Sequence, residues 1–369
     1  MCNRLRLLAQ LLGLGIASAL FAAKTSRPMQ FHSSRGLASG GSIQTSSVGL
    51  EAFFYNPAGF AFEQKPFQDF SLLSPMVVAS DVVKKYILHP GEIKVDGEKD
   101  IDLIKKYQST AIFAEVQNLT GLAGRNFAIG MFTNVALEVR FFTEPQDLLP
   151  SAYADASIYN GGLFALYERF FGERLLLGAT AKIFNLSRKE VNISADEAID
   201  IAVGNEKFDR DKMIGSGVGT GFGKDIGAIW RTRHRTYESR LGLSLVNAGG
   251  IVYQGLAPPP AEIQLINAEA SLIKSIGTHT AVFSGAINDV ENITHENNFK
   301  RLHLGWRWLH NPYISLMVGL NQGYPTFGVS LGRRIIYLDI AHYGVELGTK
   351  PGYMPDQRTA IQLRLGWVF

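Results

Sequence analysis

The chain has a single cysteine, Cys2, placed at the start of an apolar leader. Once that leader is removed no thiol remains, which excludes disulfides, cysteine zinc sites and a cysteine nucleophile together. Charge of one sign is equally scarce: 36 Lys and Arg against 33 Asp and Glu leave a formal net charge of +3, which gives no electrostatic footprint for a nucleic acid. After the first two dozen residues there is no uncharged run of helix-spanning length, so a bundle of membrane helices is excluded. There is no His-Glu-x-x-His motif, the eight histidines are scattered, and His295-Glu296 stands in a polar stretch without a second ligand set. No metal and no cofactor is assigned. Gly215-Ser216-Gly217-Val218-Gly219 fits neither a nucleotide loop nor a serine elbow: the glycine spacing is wrong, Lys224 is followed by Asp225, and no strand-to-helix junction follows.

What is present begins with an export signal. Residues Met1 to Ala23 carry Arg4 and Arg6, then the apolar block Leu7 to Phe21, then small residues, the layout of a secretory signal peptide. Cleavage is expected at Ala17-Ser18-Ala19 or at Ala22-Ala23. Cys2 does not end the apolar block, so it is not a lipidation site. Asn118, Asn185, Asn192 and Asn292 begin glycosylation triplets, which matter only in a eukaryotic secreted protein.

From about Phe67 onward the dominant period is two, that of a strand with unlike faces. Phe127, Ile129, Met131, Val135, Leu137, Val139 and Phe141 share one face, while Gly130, Asn134, Glu138 and Arg140 share the other. In Ile214 to Trp230 the residues Val218, Phe222, Ile226, Ala228 and Trp230 oppose glycines at 215, 217, 219, 221 and 223, small inward residues that leave room for a plug or ligand. Leu302, Leu304, Trp306 and Trp308 alternate with His303, Gly305 and Arg307. Counting every such segment, with Phe67 to Ala79 as the first, gives roughly a dozen to fourteen strands. The non-apolar face is rich in Gly, Ser, Thr and Asn, and the apolar face carries aromatics near strand ends. That composition suits a barrel in lipid with a polar lumen better than a soluble sandwich. Lipid cannot satisfy a free strand edge, so the sheet must close.

Long polar insertions at Asp81 to Thr110, Asn185 to Lys212 and Gly249 to Pro260 are expected on the extracellular side, the first with a short helix over Lys99 to Tyr107. The basic run Arg231, Arg233, His234, Arg235 and Arg240 reads as a solvated turn or a contact for lipid phosphates. The last strand, Thr359 to Phe369, places Ile361, Leu363, Leu365, Trp367 and Phe369 on one face and stops on an aromatic. It resembles the C-terminal assembly signal of bacterial outer-membrane barrels, in which Trp367 and Phe369 would engage the barrel-insertion machinery.

Between the leader and the strands lies Ser33 to Glu63, which resembles neither. It opens on Gly36, Ser39, Gly40, Gly41 and Ser42 and closes on Phe53, Phe54, Tyr55 and then Asn56-Pro57-Ala58-Gly59. Glycine freedom and a proline that pushes Asn56 out of the helical region give a compact, turn-rich segment, either a plug or an ordinary linker. A small-residue run followed by aromatic-Asn-Pro-Ala-Gly before the first strand resembles the N-terminal hatch of the FadL-like outer-membrane proteins, transporters of long-chain fatty acids and other hydrophobic compounds. Ile43 to Ser47 departs from that pattern in lacking acidic residues.

The resemblance implies a signal peptide over 1–23, a hatch over 24–63 and an all-β transmembrane antiparallel barrel of about 14 strands over 64–369. It implies a non-enzymatic monomer in the bacterial outer membrane, in contact with outer-membrane lipid, that passes hydrophobic small molecules such as long-chain fatty acids. Capture in an apolar pocket near the outer loops would precede release by hatch movement or a lateral opening. Asn56, Pro57, Ala58 and Gly59 would gate, and Phe53, Phe54 and Phe60 would wedge the plug or line the ligand path. Two other classes stay open: a noncatalytic barrel serving as adhesin, scaffold or secretion carrier, and an outer-membrane hydrolase whose Ser, His and Asn come from distant strands.

Overall fold

The computed structural model describes residues 31–62, 67–88, 111–142, 151–193, 217–310, 313–333, 335–348 and 350–368. The N-terminal segment holds a short helix α1 (Ser34–Ala38) and two 3-10 turns, Gly49–Phe53 and Pro57–Phe62. Sixteen strands follow: β1 (Phe67–Leu73), β2 (Pro75–Ser80), β3 (Ala111–Gly124), β4 (Phe127–Phe142), β5 (Ser151–Phe170), β6 (Leu175–Ile193), β7 (Gly217–Arg233), β8 (Glu238–Val246), β9 (Tyr253–Gln254), β10 (Leu265–Ile276), β11 (His279–Ile287), β12 (Leu302–His310), β13 (Ile314–Asn321), β14 (Tyr324–Arg333), β15 (Ile336–Glu346) and β16 (Pro355–Val368). Helix α2 (Asp81–Leu88) follows β2, and α3 (Asn298–Arg301) precedes β12.

From β2 to β16 the strands pair antiparallel in sequence order, except that β9 pairs with β7 and β8 with β10; β16 returns to pair with β1 and β2, so the sheet closes. Both β1 and β2 lie between β3 and β16 and together make one wall strand. With β9 off the wall, the barrel has 14 strands. The composite strand is broken at Ser74. Its register against β16 slips between Ser71↔Gly366 and Leu73↔Leu365, a β-bulge. Pro75 has no N–H to give, and the Ser74 N–H leaves the ladder to donate to Asn118 Oδ1 at 2.8 Å. The sequence expectation of one uninterrupted strand from Phe67 to Ala79 therefore needs this correction.

Alternation decides which way each side chain points. Ile129, Met131, Phe164, Ile183, Phe222, Leu241, Leu243, Phe283, Leu304, Leu316, Phe327 and Ile361 face outward and are exposed. Glu115, Asn134, Thr180, Lys182, Asp225, Ser244, Glu269, His303, Ser330 and Asp339 face inward and are buried. An exposed apolar belt around a closed wall matches hydrocarbon rather than water. Among the described residues no helix is long and apolar enough to cross a membrane.

Turns at one end of the barrel are short, as at 125–126, 234–237 and 277–278, while most connections at the other end are longer. Short turns mark the periplasmic side of such barrels. The wall is lopsided: β5 and β6 run 20 and 19 residues, whereas β13 runs 8.

Three connection assignments change. Asn185 to Ile193 continues β6 rather than opening a loop, because it pairs with β5 up to Ala152. Residues 81–88 are helical. The basic run is only partly a turn: Arg231 and Arg233 belong to β7 and Arg240 to β8, with Arg231 buried and bonded to Glu173 Oε2 at 2.8 Å. The proposed helix over Lys99 to Tyr107, the signal segment 1–23 and Phe369 lie outside the described residues. Trp367 pairs through its backbone with Phe70.

Candidate functional site: an occluded lumen

Inward polar side chains stay buried because the N-terminal segment fills the bore. Its route is set by where the wall carries glycine. A side chain at Gly178 would meet Ala58 N at 2.6 Å, one at Gly227 would meet Pro57 Cδ at 2.8 Å, and one at Gly242 would meet Thr45 Cγ2 at 2.6 Å. Across the barrel, Gly305, Gly319 and Gly328 make the same allowance for Ser39, Gly40 and Ala38. Gly40 itself has φ +67 and lies so close to Leu320 of the wall that only a residue without Cβ fits.

Polar contacts fix the segment in these recesses. Asn56 Nδ2 donates to Leu243 O at 3.2 Å, while Asn56 Oδ1 accepts the Ala58 N–H at 3.0 Å and closes an Asx turn. Glu269 on β10 accepts the backbone N–H groups of Gln44 (2.8 Å) and Thr45 (2.9 Å) and the Thr45 hydroxyl (2.6 Å). Arg240 donates to Thr45 O at 2.8 Å and lies 3.9 Å over the Phe62 ring. His303 Nδ1 lies 2.8 Å from Gly40 O, which can only accept, so this nitrogen carries the proton and Nε2 accepts from Asn288. Leu50 N donates to Asp69 Oδ2 at 2.9 Å, and within the segment Arg35 pairs with Glu51 at 2.6 Å.

Phe53 and Phe60 are fully buried and meet edge-on at 4.8 Å, and Phe60 stacks on Tyr167 of β5 at 5.2 Å. Phe54 is only partly buried. It stacks on Phe31 at 4.4 Å and, with Tyr55, floors a cavity of about 370 Å³ that reaches Asp289, Thr294, Glu296 and Leu347 in connections at the long-loop end. Above that aromatic floor the walls are charged and largely self-neutralised: Arg188 with Asp155 (2.8 Å), Arg358 with Glu138 (3.1 Å), and Lys300 with Glu296 (3.1 Å). Apolar surface is interspersed with these pairs, from Val246, Leu265, Val345 and Leu347 at the long-loop end down to the floor. Asp289, in the loop between β11 and β12, belongs to the rim. Burial works against its charge, but the hydroxyl and N–H of Thr294 and the N–H of Ile293 outweigh it and hold the carboxyl below the usual carboxylate range.

The glycines of β7 serve a second insertion. A side chain at Gly221 would collide with Ile251 and Tyr253 and one at Gly223 with Ile251, because these two residues turn inward and are buried while 254–258 of the same connection stay exposed. Lys182 anchors this strap by pairing with Asp225 (2.7 Å) and Asn247 Oδ1 (2.7 Å), and Tyr253 donates to Glu262 Oε1 at 2.6 Å. A smaller cavity of about 40 Å³ separates the hatch residues Arg35, Val48, Leu50 and Glu51 from the wall break at Ser74.

Sequence reasoning singled out the hatch side of these contacts; on the wall side it named His303 as facing away from the apolar row and Arg240 as part of a basic run, without giving either a partner in the hatch. Glu269, Arg240, Asp69, Tyr167 and His303 come from strands far apart in the chain. Their one sequence signal is a charged, aromatic or imidazole residue at an inward position among small polar ones.

No protein-family model and no curated protein matches the chain. Among solved structures, the chain is similar to the toluene transporter TbuX of Ralstonia pickettii (10% identity, TM-score 0.48, covering 95% of this chain and 100% of that one). It is also similar to the toluene transporter TodX of Pseudomonas putida (11% identity, TM-score 0.44, 93% and 99%) and to outer membrane phospholipase A of Escherichia coli (10% identity, TM-score 0.32, 84% and 93%).

Proposed function

We propose that this chain is a FadL-like channel of the bacterial outer membrane that passes hydrophobic small molecules inward, long-chain fatty acids being the first class to test. One observation carries the reading: the bore is closed by a segment of the chain's own N-terminus, held by hydrogen bonds and shape, and its aromatic side faces the cavity on the long-loop side. A static stopper of that kind conducts nothing, so passage requires that Asn56 to Gly59 leave the recesses at Gly178 and Gly227.

Phe54, with Phe31 and Tyr55, is the aromatic surface a solute meets at the base of the cavity. Phe53 and Phe60 act behind it as the wedge. The break at Ser74 and the adjoining small cavity support a lateral exit between β1 and β16, where a β-bulge interrupts the ladder. The test is uptake of labelled long-chain fatty acid into liposomes carrying the protein. Uptake above empty liposomes supports the reading; none, with an intact barrel, favours a scaffold or adhesin.

A further inference from the structure

At the short-turn end of the barrel, β11 begins with His279 and β12 ends with His310, and these two residues are directly opposed. Both share the outward face, His279 in phase with exposed Phe283 and Ile287, His310 in phase with exposed Leu302 and Leu304. Their Nδ1 atoms approach to 3.2 Å. Trp308, one outward position before His310, stacks on His279 at 5.2 Å between centroids and on His310 at 5.8 Å.

An aromatic girdle at a membrane surface accounts for the ring faces. It does not call for two imidazole nitrogens turned toward each other. In the metal-free pair one Nδ1 must carry the hydrogen that the other accepts. An ion in place of that hydrogen would sit about 2.0–2.1 Å from each nitrogen, and a 3.2 Å separation then subtends about 100°, an angle both tetrahedral and tetragonal centres accommodate.

We propose that His279 and His310 form an exchangeable surface site for a borderline transition-metal ion such as Cu²⁺, Zn²⁺ or Ni²⁺, with solvent completing the coordination. Imidazole nitrogen selects this class over Mg²⁺ or Ca²⁺. Among the described residues no group of three or more metal-binding side chains occurs, so the site is open rather than a closed structural centre. Metal binding displaces the shared hydrogen, because the ion needs the lone pair of each Nδ1.

The test uses the full, tag-free chain in detergent, titrated with Cu²⁺ alone and followed by tryptophan fluorescence and by copper EPR. The expected result is saturable quenching and an EPR spectrum with nitrogen coupling. His279→Asn or His310→Gln should each weaken binding by about tenfold or more. Trp308→Phe should keep the EPR signal while losing most of the quenching. Both histidines lie on the outward face at the short-turn end, so barrel integrity can be checked by heat-modifiable migration in each variant. Copper binding unchanged in both histidine variants, or no saturable binding by the wild-type chain, overturns the proposal.

Discussion

The Asn56 amide occupies the space that a side chain at residue 227 would fill: a Cβ on Gly227 would strike Asn56 Oδ1 and Cγ, the latter at 2.9 Å. One residue belongs to the hatch and the other to β7, and the fit between them is what lets the turn sit against the wall.

Gly227→Val should therefore evict the turn without unfolding the barrel, since the outward belt and the ladder are untouched. Overpacking of this kind costs about 1–3 kcal/mol, which falls on hatch docking. The expected outcome is raised conductance in planar bilayers with unchanged heat-modifiable migration.

Asn56→Ala attacks the same contact from the other side. It removes the donor to Leu243 O and the acceptor for the Ala58 N–H, both in a buried setting, at a cost of about 1–3 kcal/mol. Hydrogen exchange at residues 57–62 should speed up, while exchange in β5 and β6 stays as it was.

Glu269 is the wall group with the most bonds to the hatch backbone. Glu269→Ala leaves the N–H groups of Gln44 and Thr45 without their acceptor, and hydrogen bonds to a charged group are worth about 1.5–3 kcal/mol each. Limited proteolysis should begin to cut within Ile43 to Ser47, a stretch that is buried in the wild-type protein.

The rim loop should depend on pH through Asp289. Its folded-state carboxyl ionises more readily than an unfolded one, so its contribution to holding the loop is present above the ordinary carboxylate range and is lost as pH falls through the lowered value. Protection of the Ile293 and Thr294 amides should drop in strong acid. In Asp289→Ala it should be low throughout, with no acid step.

The barrel was legible in the sequence because a period of two and an unlike composition on the two faces survive any choice of loop boundary. The hatch was legible as a segment, since Asn56-Pro57-Ala58-Gly59 encodes a turn locally. What holds it was not. Whether Gly227 faces a hatch, a ligand or nothing depends on a contact with Asn56, far away in the chain. The glycine row of β7 shows the same limit: its inward smallness was readable, but its occupant is the inturned pair Ile251 and Tyr253 rather than a ligand. The break at Ser74 was hidden because Ser-Pro within an apolar run reads as easily as a strand start.

The central claim is that solutes pass only when the hatch moves. In a chain carrying Cys2→Ser, which removes the one cysteine of the sequence, a cysteine pair replacing Thr45 and Ser271, whose hydroxyl oxygens lie 2.7 Å apart, can tether hatch to wall reversibly. Uptake of labelled long-chain fatty acid by liposomes bearing the oxidised pair should fall to the level of empty liposomes and return on reduction. Equal uptake by the tethered and reduced forms would contradict the account.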